Sequence, residues 1–168
     1  MIIENSYKRK KIKDFFRDMT SLGNPFSVLL FILFCTSSYN QLITSLIGLL
    51  CIEILCFSIK FFYYKPRPNS EIFTTRFGKM SAGSFPSIHS ARISFIFTQL
   101  ALIKGEFIFF IISFIVIVVV SFSRVFLKKH YIIDVLFGLL IGLLVSFIIN
   151  SYPLFRSTIF ISSNSSFF

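Results

Sequence analysis

Residues with chemically active side chains gather at three points of a chain that is otherwise strongly apolar. The first group is "KFFYYKPRP", in which Lys60 and Arg67 stand seven residues apart. Seven residues are about two helical turns, so both side chains can point the same way until Pro66 and Pro68 end the segment. Two cations on one face provide a binding site for an anionic group.

The second group, "SFPSIHSAR", places Ser87 and His89 at the start of the next apolar segment. The N-terminus of a helix presents free backbone N–H groups and the positive end of the helix dipole, and both favour a bound phosphate group. This group therefore predicts a phosphate-binding turn with a titratable histidine beside it.

The third group is "SRVFLKKHYIID". Ser123 and Arg124 end one apolar segment, and His130 and Asp134 open the next. Four residues separate the histidine from the aspartate, which would place both side chains on one face of a helix. The spacing predicts that the carboxylate and the imidazole act as a pair.

Together these side chains contain the parts of a phosphate-cleaving site. Two arginines and a lysine can hold three phosphate oxygens. One histidine can attack phosphorus while the carboxylate fixes its tautomer, and the other can protonate the leaving oxygen. Fixed cations and N–H groups would supply most of the rate enhancement, because phosphoryl transfer mainly needs positioning and electrostatic stabilisation. The residues predict cleavage of a phosphomonoester or pyrophosphate bond with no metal and no cofactor.

A metal site built from His89, His130 and Asp134 is the alternative for the same residues. Acidic ligands are scarce nearby and cationic side chains crowd the three groups, which disfavours a metal cation. A lone histidine–aspartate pair is also commonly structural, but here two further groups accompany it. We therefore expect a catalytic pair and no metal.

Composition places these groups in a membrane protein. Of the 168 residues, 55% are hydrophobic, and the mean hydropathy of +0.81 exceeds what the water-exposed surface of a soluble domain of this size allows. Five apolar segments come near the ~20 residues that a helix needs to cross a bilayer. We predict an all-α integral membrane bundle of about five transmembrane helices, over 25–38, 41–63, 87–103, 106–123 and 131–149.

The bundle would occupy residues 25–150, between a basic N-terminal segment at 1–24 and a polar tail at 151–168. Apolar residues recur at helical spacing among the lysines and arginines of the N-terminal segment, which predicts an amphipathic helix on the membrane surface. The segment does not resemble a signal peptide, because no apolar core and small-residue cleavage site follow the charges. The apolar residues of this helix are Ile12, Phe15, Phe16 and Met19.

The net charge of +10, from 17 basic and 7 acidic residues, indicates anionic partners. We expect a lipid phosphate substrate and the bilayer itself. Nucleic acid is not expected, because the basic residues lie between membrane segments rather than on a soluble module.

The distribution of basic residues also predicts the orientation of the chain. With five crossings, the N-terminus and the loops at 64–86 and 124–130 share one side, which carries fourteen basic residues against two on the other. The positive-inside rule places that side, and the active site with it, in the cytoplasm. The membrane would be the endoplasmic reticulum in a eukaryote and the plasma membrane otherwise.

Other residues within or beside the apolar segments carry structural expectations. Glu53 lies inside the second segment, where an unpaired charge is costly, so we expect a basic partner or a polar role in helix packing. Gly138 and Gly142, with Ser146, form a small-residue face that predicts close packing of the last helix. Basic residues near segment ends are interpreted as membrane anchors, namely Lys65, Lys79, Lys128 and Lys129.

In order and spacing, the three groups resemble the three signature motifs of the type 2 phosphatidic acid phosphatase superfamily. The resemblance covers about residues 60–134, with apolar helices before and after it. It implies that His130 is the nucleophile that forms a phosphohistidine, that Asp134 is its partner and that His89 is the general acid. It also implies that the phosphate is held by Lys60, Arg67, Ser87 and Arg124.

One position departs from the motifs, and another points to a subgroup. Ile88 stands where the superfamily usually has glycine, and its Cβ restricts how closely the loop can approach a phosphate. Arg92 resembles a basic residue of the polyisoprenoid diphosphate phosphatases, including the presqualene diphosphate phosphatase group. This resemblance implies an isoprenoid diphosphate or monophosphate as substrate, with Arg92 reaching the second phosphate. The alternatives are a phosphatase for phosphatidic acid or another glycerolipid or sphingolipid phosphate, a lipid phosphotransferase, and a catalytically silent membrane scaffold.

Overall fold

A computed structural model describes residues 2–69, 75, 78 and 82–151 of the chain. Arg76, Lys79 and the predicted polar tail from residue 152 onward lie outside the described residues. The ordered elements of the described ranges are all helices, which confirms the predicted all-α bundle. They are α1 (Ile2–Ser21), α2 (Pro25–Cys35), α3 (Tyr39–Phe62), α4 (Ile88–Lys104), α5 (Phe107–Phe126) and α6 (Ile132–Ser151).

Three helices are long and apolar enough to cross a membrane, namely α3, α5 and α6. Their outer faces expose large apolar side chains such as Phe62 and Phe107, at 85% and 79% exposure, as expected of surfaces that contact lipid. Residues Tyr7–Ser21 of α1 and helix α2 form a bent pair at 58°, which together have the composition of a fourth, broken span. By length and composition alone, the described bundle therefore has three spans, or four with the bent pair.

Helix α4 is the centre of the bundle and packs against α2, α3, α5 and α6. Its 17 residues reach only about 25 Å, and every residue from Ser90 to Phe97 is buried. Because neighbouring helices surround α4, it can carry polar side chains such as Arg92 and Gln99 that a lipid-facing helix would not tolerate.

The close packing predicted for Gly138 and Gly142 is confirmed where α6 crosses α4. A Cβ atom at Gly138 would lie 2.4 Å from the carbonyl oxygen of Ser87, and one at Gly142 would lie 2.3 Å from that of Ala91. The backbone N–H of Ser87 also donates to the carbonyl of Asp134 at 2.9 Å. The start of α4 is therefore held against the start of α6, which brings the second and third sequence groups together.

The predicted N-terminal helix forms and packs on α5. The ring of Phe16 lies 4.5 Å from that of Phe126 and 5.6 Å from that of Phe122, between centroids. A short connection follows α1, and we call the end of α1 together with this connection, residues 20–24, the corner. The corner lies over the end of the bundle where α4 and α6 begin and α3 and α5 end.

Candidate active site

The three sequence groups meet at this end of the bundle around a cavity of about 150 Å³. The walls come from the end of α3, the start of α4 and the turn between α5 and α6. Five of the eight predicted site residues line the cavity directly, and Ile88 completes the wall. The lining residues are Lys60, Arg67, Ile88, His89, Arg92 and His130.

Lys60 lies in the last turn of α3, and its side chain is only 3% exposed. Its Nζ donates to the carbonyl oxygen of Gly83 at 2.7 Å. The negative end of the helix dipole also favours a cation in this turn. Lys60 therefore joins α3 to the loop that precedes α4 while it contributes charge to the cavity wall.

Ser87 is the N-cap of α4, and its hydroxyl accepts from the backbone N–H of Ser90. The first turn of a helix leaves backbone N–H groups without intrahelical partners, and here that turn contains the cavity residues Ile88 and His89. The fully buried Ser87 side chain is used for capping and so shapes this turn, and its predicted role in phosphate binding stays a prediction. Ile88, at the usual glycine position, forms part of the wall.

His130 is held in one tautomer by a backbone carbonyl. The residue is 3% exposed, and its Nδ1 lies 2.7 Å from the carbonyl oxygen of Ser84. Because a carbonyl oxygen only accepts, Nδ1 carries the proton and Nε2 keeps a free lone pair. Burial, reinforced by the charge of Arg124, lowers the pKa of His130 to about 3. The ring is therefore neutral at physiological pH.

The predicted pairing of Asp134 with His130 is not what the structure shows. The Asp134 carboxylate accepts from Lys65 Nζ at 2.6 Å, from the backbone N–H of Tyr131 at 2.9 Å and from the Ser84 hydroxyl. The physical reason is that α6 begins at Ile132, so His130 lies before the helix and the four-residue spacing rule does not apply. Asp134 instead bonds back to the residue just before the helix, as the acidic member of a capping box does.

Ser84 links the Asp134 carboxylate to His130. Its hydroxyl donates to Asp134 and its carbonyl accepts from His130 Nδ1. Sequence reasoning missed Ser84, although it opens the second group, because nothing in the local pattern marks a backbone carbonyl as a partner. Lys65, interpreted as a membrane anchor, is corrected to the counterion of the buried Asp134.

Arg124 lies in the last turn of α5 and is buried, and its charge acts on both histidines. Its Nη1 donates to the hydroxyl of Thr20, in the corner, at 2.9 Å. Among the residues that the structure describes, its buried Nε has no hydrogen-bond partner. A buried guanidinium N–H without a partner is costly, and an incoming phosphate oxygen would satisfy it.

Arg92 already has hydrogen-bond partners in this structure, and the expectation that it reaches a second phosphate stays a prediction. Its Nε and Nη2 donate to the two carboxylate oxygens of Glu53, the latter at 2.8 Å, and its Nη1 donates to the Gly23 carbonyl at 3.2 Å. The pairing expected for Glu53 with a basic neighbour is confirmed. Arg92 still forms part of the cavity wall, but a carboxylate already neutralises its charge.

Comparison with known proteins identifies the family. Residues 26–157 match the sequence model of the PAP2 superfamily. The chain belongs to the PAP2 superfamily. The predicted superfamily and enzyme class, a phosphatase, are thereby confirmed. No curated protein sequence shows a significant match to the chain.

Two solved structures share the fold of this PAP2 protein. One is the first transmembrane PAP2-type phosphatidylglycerolphosphate phosphatase from Bacillus subtilis, with 25% identity and a TM-score of 0.68, covering 83% of this chain and 75% of that one. The other is Aquifex aeolicus LpxE, with 22% identity and a TM-score of 0.69, covering 84% of this chain and 86% of that one. These similarities support a membrane-embedded PAP2 phosphatase.

Proposed function

We propose that this PAP2 protein hydrolyses lipid phosphates through a phosphohistidine at His130. The observation that carries the proposal is the bond from Nδ1 to the Ser84 carbonyl, which leaves Nε2 as the free nitrogen of a neutral ring in a cavity lined by cations. A neutral imidazole with a fixed tautomer beside cationic groups is the arrangement that attack on an anionic phosphate requires.

The first chemical step transfers the phosphoryl group to the enzyme. The phosphate oxygens lie among Lys60, Arg67 and Arg124 and the free N–H groups of the first turn of α4. The Nε2 lone pair of His130 forms the N–P bond as the P–O bond to the lipid breaks. Burial and the charge of Arg124 lower the pKa of His89, so its ring takes up a second proton only when the bound phosphate offsets the neighbouring cations. His89 then gives that proton to the leaving oxygen, so the lipid departs as a neutral alcohol or, from a diphosphate, as a monophosphate.

The second step releases inorganic phosphate. His89, now without its transferable proton, takes one from a water molecule as that water attacks phosphorus. The N–P bond breaks, and His130 regains its neutral form. Asp134 acts in neither transfer and serves as a positioning residue, because it reaches His130 through Ser84.

Two classes of lipid are proposed as substrates. Similarity to a phosphatidylglycerolphosphate phosphatase favours a glycerolipid monophosphate. The presence of Arg92 in the cavity wall favours an isoprenoid diphosphate, provided that the second phosphate competes with Glu53 for the guanidinium. Isoprenoid monophosphates fit the same site without that competition.

The basic residues of the described ranges support a cytoplasmic active site. The end of the bundle that holds the cavity carries Lys60, Lys65, Arg67, Arg124, Lys128 and Lys129. Lys104 ends α4 at the opposite end. By the positive-inside rule, the cavity end lies on the cytoplasmic side.

The experiment that tests the proposal measures phosphate release by the purified protein in detergent micelles with a chelator present. Farnesyl diphosphate, a long-chain polyprenyl diphosphate and phosphatidic acid are compared side by side. Release of inorganic phosphate from any of them supports hydrolysis, and the ranking identifies the lipid class. Transfer of the phosphate to an acceptor lipid without release would indicate a phosphotransferase. Absence of turnover on the whole panel would indicate a silent scaffold and contradict the proposal.

A further inference from the structure

The corner between α1 and α2 makes three hydrogen bonds to residues of the active site. Thr20 accepts from Arg124, the Gly23 carbonyl accepts from Arg92, and the Asn24 side-chain oxygen lies 3.1 Å from Nε2 of His89. The corner lies outside the three sequence groups and precedes residue 26, where the superfamily match begins. A part of the chain without superfamily motifs therefore contacts the general acid.

Asn24 is the N-cap of α2, but its side chain makes no capping hydrogen bond. Asparagine is favoured at this position because its side-chain oxygen can accept a backbone N–H of the first helical turn. Here that oxygen is directed at His89, and Pro25 follows as the first helical residue. The side chain thus contributes to the active site rather than to the helix that it begins.

Gly23 allows the imidazole of His89 to lie directly against the corner. A Cβ atom at Gly23 would lie 2.9 Å from Cδ2 of the ring. The Nε2–Cδ2 bond therefore faces the corner, and Nδ1, the ring atom opposite that bond, points away from it. Since an amide oxygen only accepts, Nε2 keeps its proton, and Nδ1 is the nitrogen left to exchange a proton with the substrate.

We propose that Asn24 is a positioning residue for His89, and that it determines which ring nitrogen delivers the proton to the leaving oxygen. This inference rests on the proposed function, in which His89 is the general acid. The bond to Asn24 orients the ring and also stabilises the imidazolium that donates from Nδ1, because a hydrogen bond to a charged donor is stronger than one to a neutral donor. Asn24 itself neither gains nor loses a proton.

The test compares leaving groups in the variant Asn24→Ala. An alkyl phosphate such as phosphatidic acid needs its leaving oxygen protonated, whereas the stable phenolate of p-nitrophenyl phosphate departs with little help. We expect kcat/KM for the alkyl phosphate to fall by about 10- to 100-fold, as for partial loss of general acid catalysis, and kcat/KM for the aryl phosphate to change by less than about threefold. His89→Ala should show the same difference between the two substrates, with a larger fall in kcat/KM for the alkyl phosphate.

Matched variants separate positioning from folding. Asn40→Ala changes an exposed asparagine at the start of α3, at the other end of the bundle, and should leave both rates unchanged. Asn24→Asp keeps an acceptor oxygen and should restore most of the alkyl phosphate activity. If Asn24→Ala lowers the yield of folded protein, Asn24→Ser can replace it, because serine is a good N-cap. Its hydroxyl is too short to reach His89, so we expect the same difference between the losses on the alkyl and the aryl phosphate.

Equal losses on the two substrates, or no loss on either, would overturn the role of Asn24. Failure of the proposed function has a different signature, because the wild-type protein would then release no phosphate from either substrate. If the wild-type protein hydrolyses both substrates and Asn24→Ala changes the two kcat/KM values equally, the proposed phosphatase activity stands. Only the inference about Asn24 is then contradicted.

Discussion

The two histidines of the active site are held in similar ways by very different parts of the molecule. On the nucleophile side, our name for the proposed nucleophile His130 with Ser84, Asp134 and Lys65, the ring is fixed by a backbone carbonyl in a buried loop. On the acid side, our name for the proposed general acid His89 with Gly23 and Asn24, the ring is fixed by an exposed side-chain amide of the N-terminal corner.

The two kinds of acceptor differ in how easily a substitution can change them. A backbone acceptor cannot be removed by substitution, so the tautomer of His130 is protected by the fold of the 82–87 loop. A side-chain acceptor can be altered by one change, so the acid side can be adjusted without disturbing the nucleophile.

The largest effect is expected for His130→Ala, which removes the nucleophile. Phosphate release should fall by at least about 10³-fold, because loss of a nucleophile removes the whole covalent route. Phosphate release would be measured in micellar assays with phosphatidic acid and with farnesyl diphosphate. Asn40→Ala, purified and assayed in the same way, serves as the control. Substantial turnover in His130→Ala would contradict the assignment of the nucleophile side.

A smaller loss is expected when the support behind His130 is weakened. Asp134→Asn should lower kcat by about 10²-fold, and Ser84→Ala by about tenfold, since both loosen the loop that presents the Ser84 carbonyl. Because the two residues share one hydrogen bond, the double variant should lose less than the product of the single losses. Independent, multiplicative losses would indicate that Asp134 acts on His130 without Ser84.

An intermediate effect is expected on substrate choice when the partner of Arg92 is neutralised. Glu53→Gln removes the carboxylate charge that neutralises the Arg92 guanidinium, which leaves the guanidinium available to a second phosphate. The ratio of kcat/KM for farnesyl diphosphate to that for phosphatidic acid should therefore rise by about tenfold, the contribution of one charge-assisted hydrogen bond. Glu106→Gln, at the exposed start of α5, serves as the control. An unchanged ratio would show that the second phosphate does not contact Arg92.

The smallest effect concerns pH. With the pKa of His130 lowered to about 3, its ring stays neutral throughout the neutral range. The kcat/KM for p-nitrophenyl phosphate should therefore hold constant between about pH 8 and pH 6, whereas a histidine with its usual pKa of about 6.5 would lose roughly fourfold over that interval. A fall that fits a pKa near 6.5 and persists in His89→Ala would contradict the description of the nucleophile side.

One histidine of each side could be predicted from the sequence, namely His130 and His89, but most of the groups that hold the two rings could not. Helices and the three groups are visible because hydropathy and motif spacing are local properties, and Lys60, Arg67 and His130 do line one cavity. The partner of Asp134 was mistaken because the spacing rule assumes that both residues are helical. Asn24 lies 65 residues from His89, and no local pattern encodes a contact at that separation.

The carboxylate partners of two basic residues could not be predicted for the same reason. Lys65 and Arg92 follow patterns that are typical of a membrane anchor and of a diphosphate ligand. Each is instead neutralised by a carboxylate, Asp134 or Glu53, which reaches it only after the helices pack. Charge partners inside a bundle depend on which helix faces are adjacent, and composition does not specify that.

In the proposed mechanism, the reaction passes through a phosphohistidine at residue 130. The most direct measurement traps the phosphoenzyme by rapid denaturation during turnover of p-nitrophenyl phosphate, with chelator present, and locates the phosphate by peptide mass spectrometry. We expect an acid-labile phosphate on the peptide that contains His130, and none in His130→Ala. A phosphate on another residue, or hydrolysis at the wild-type rate by His130→Ala, would contradict the claim.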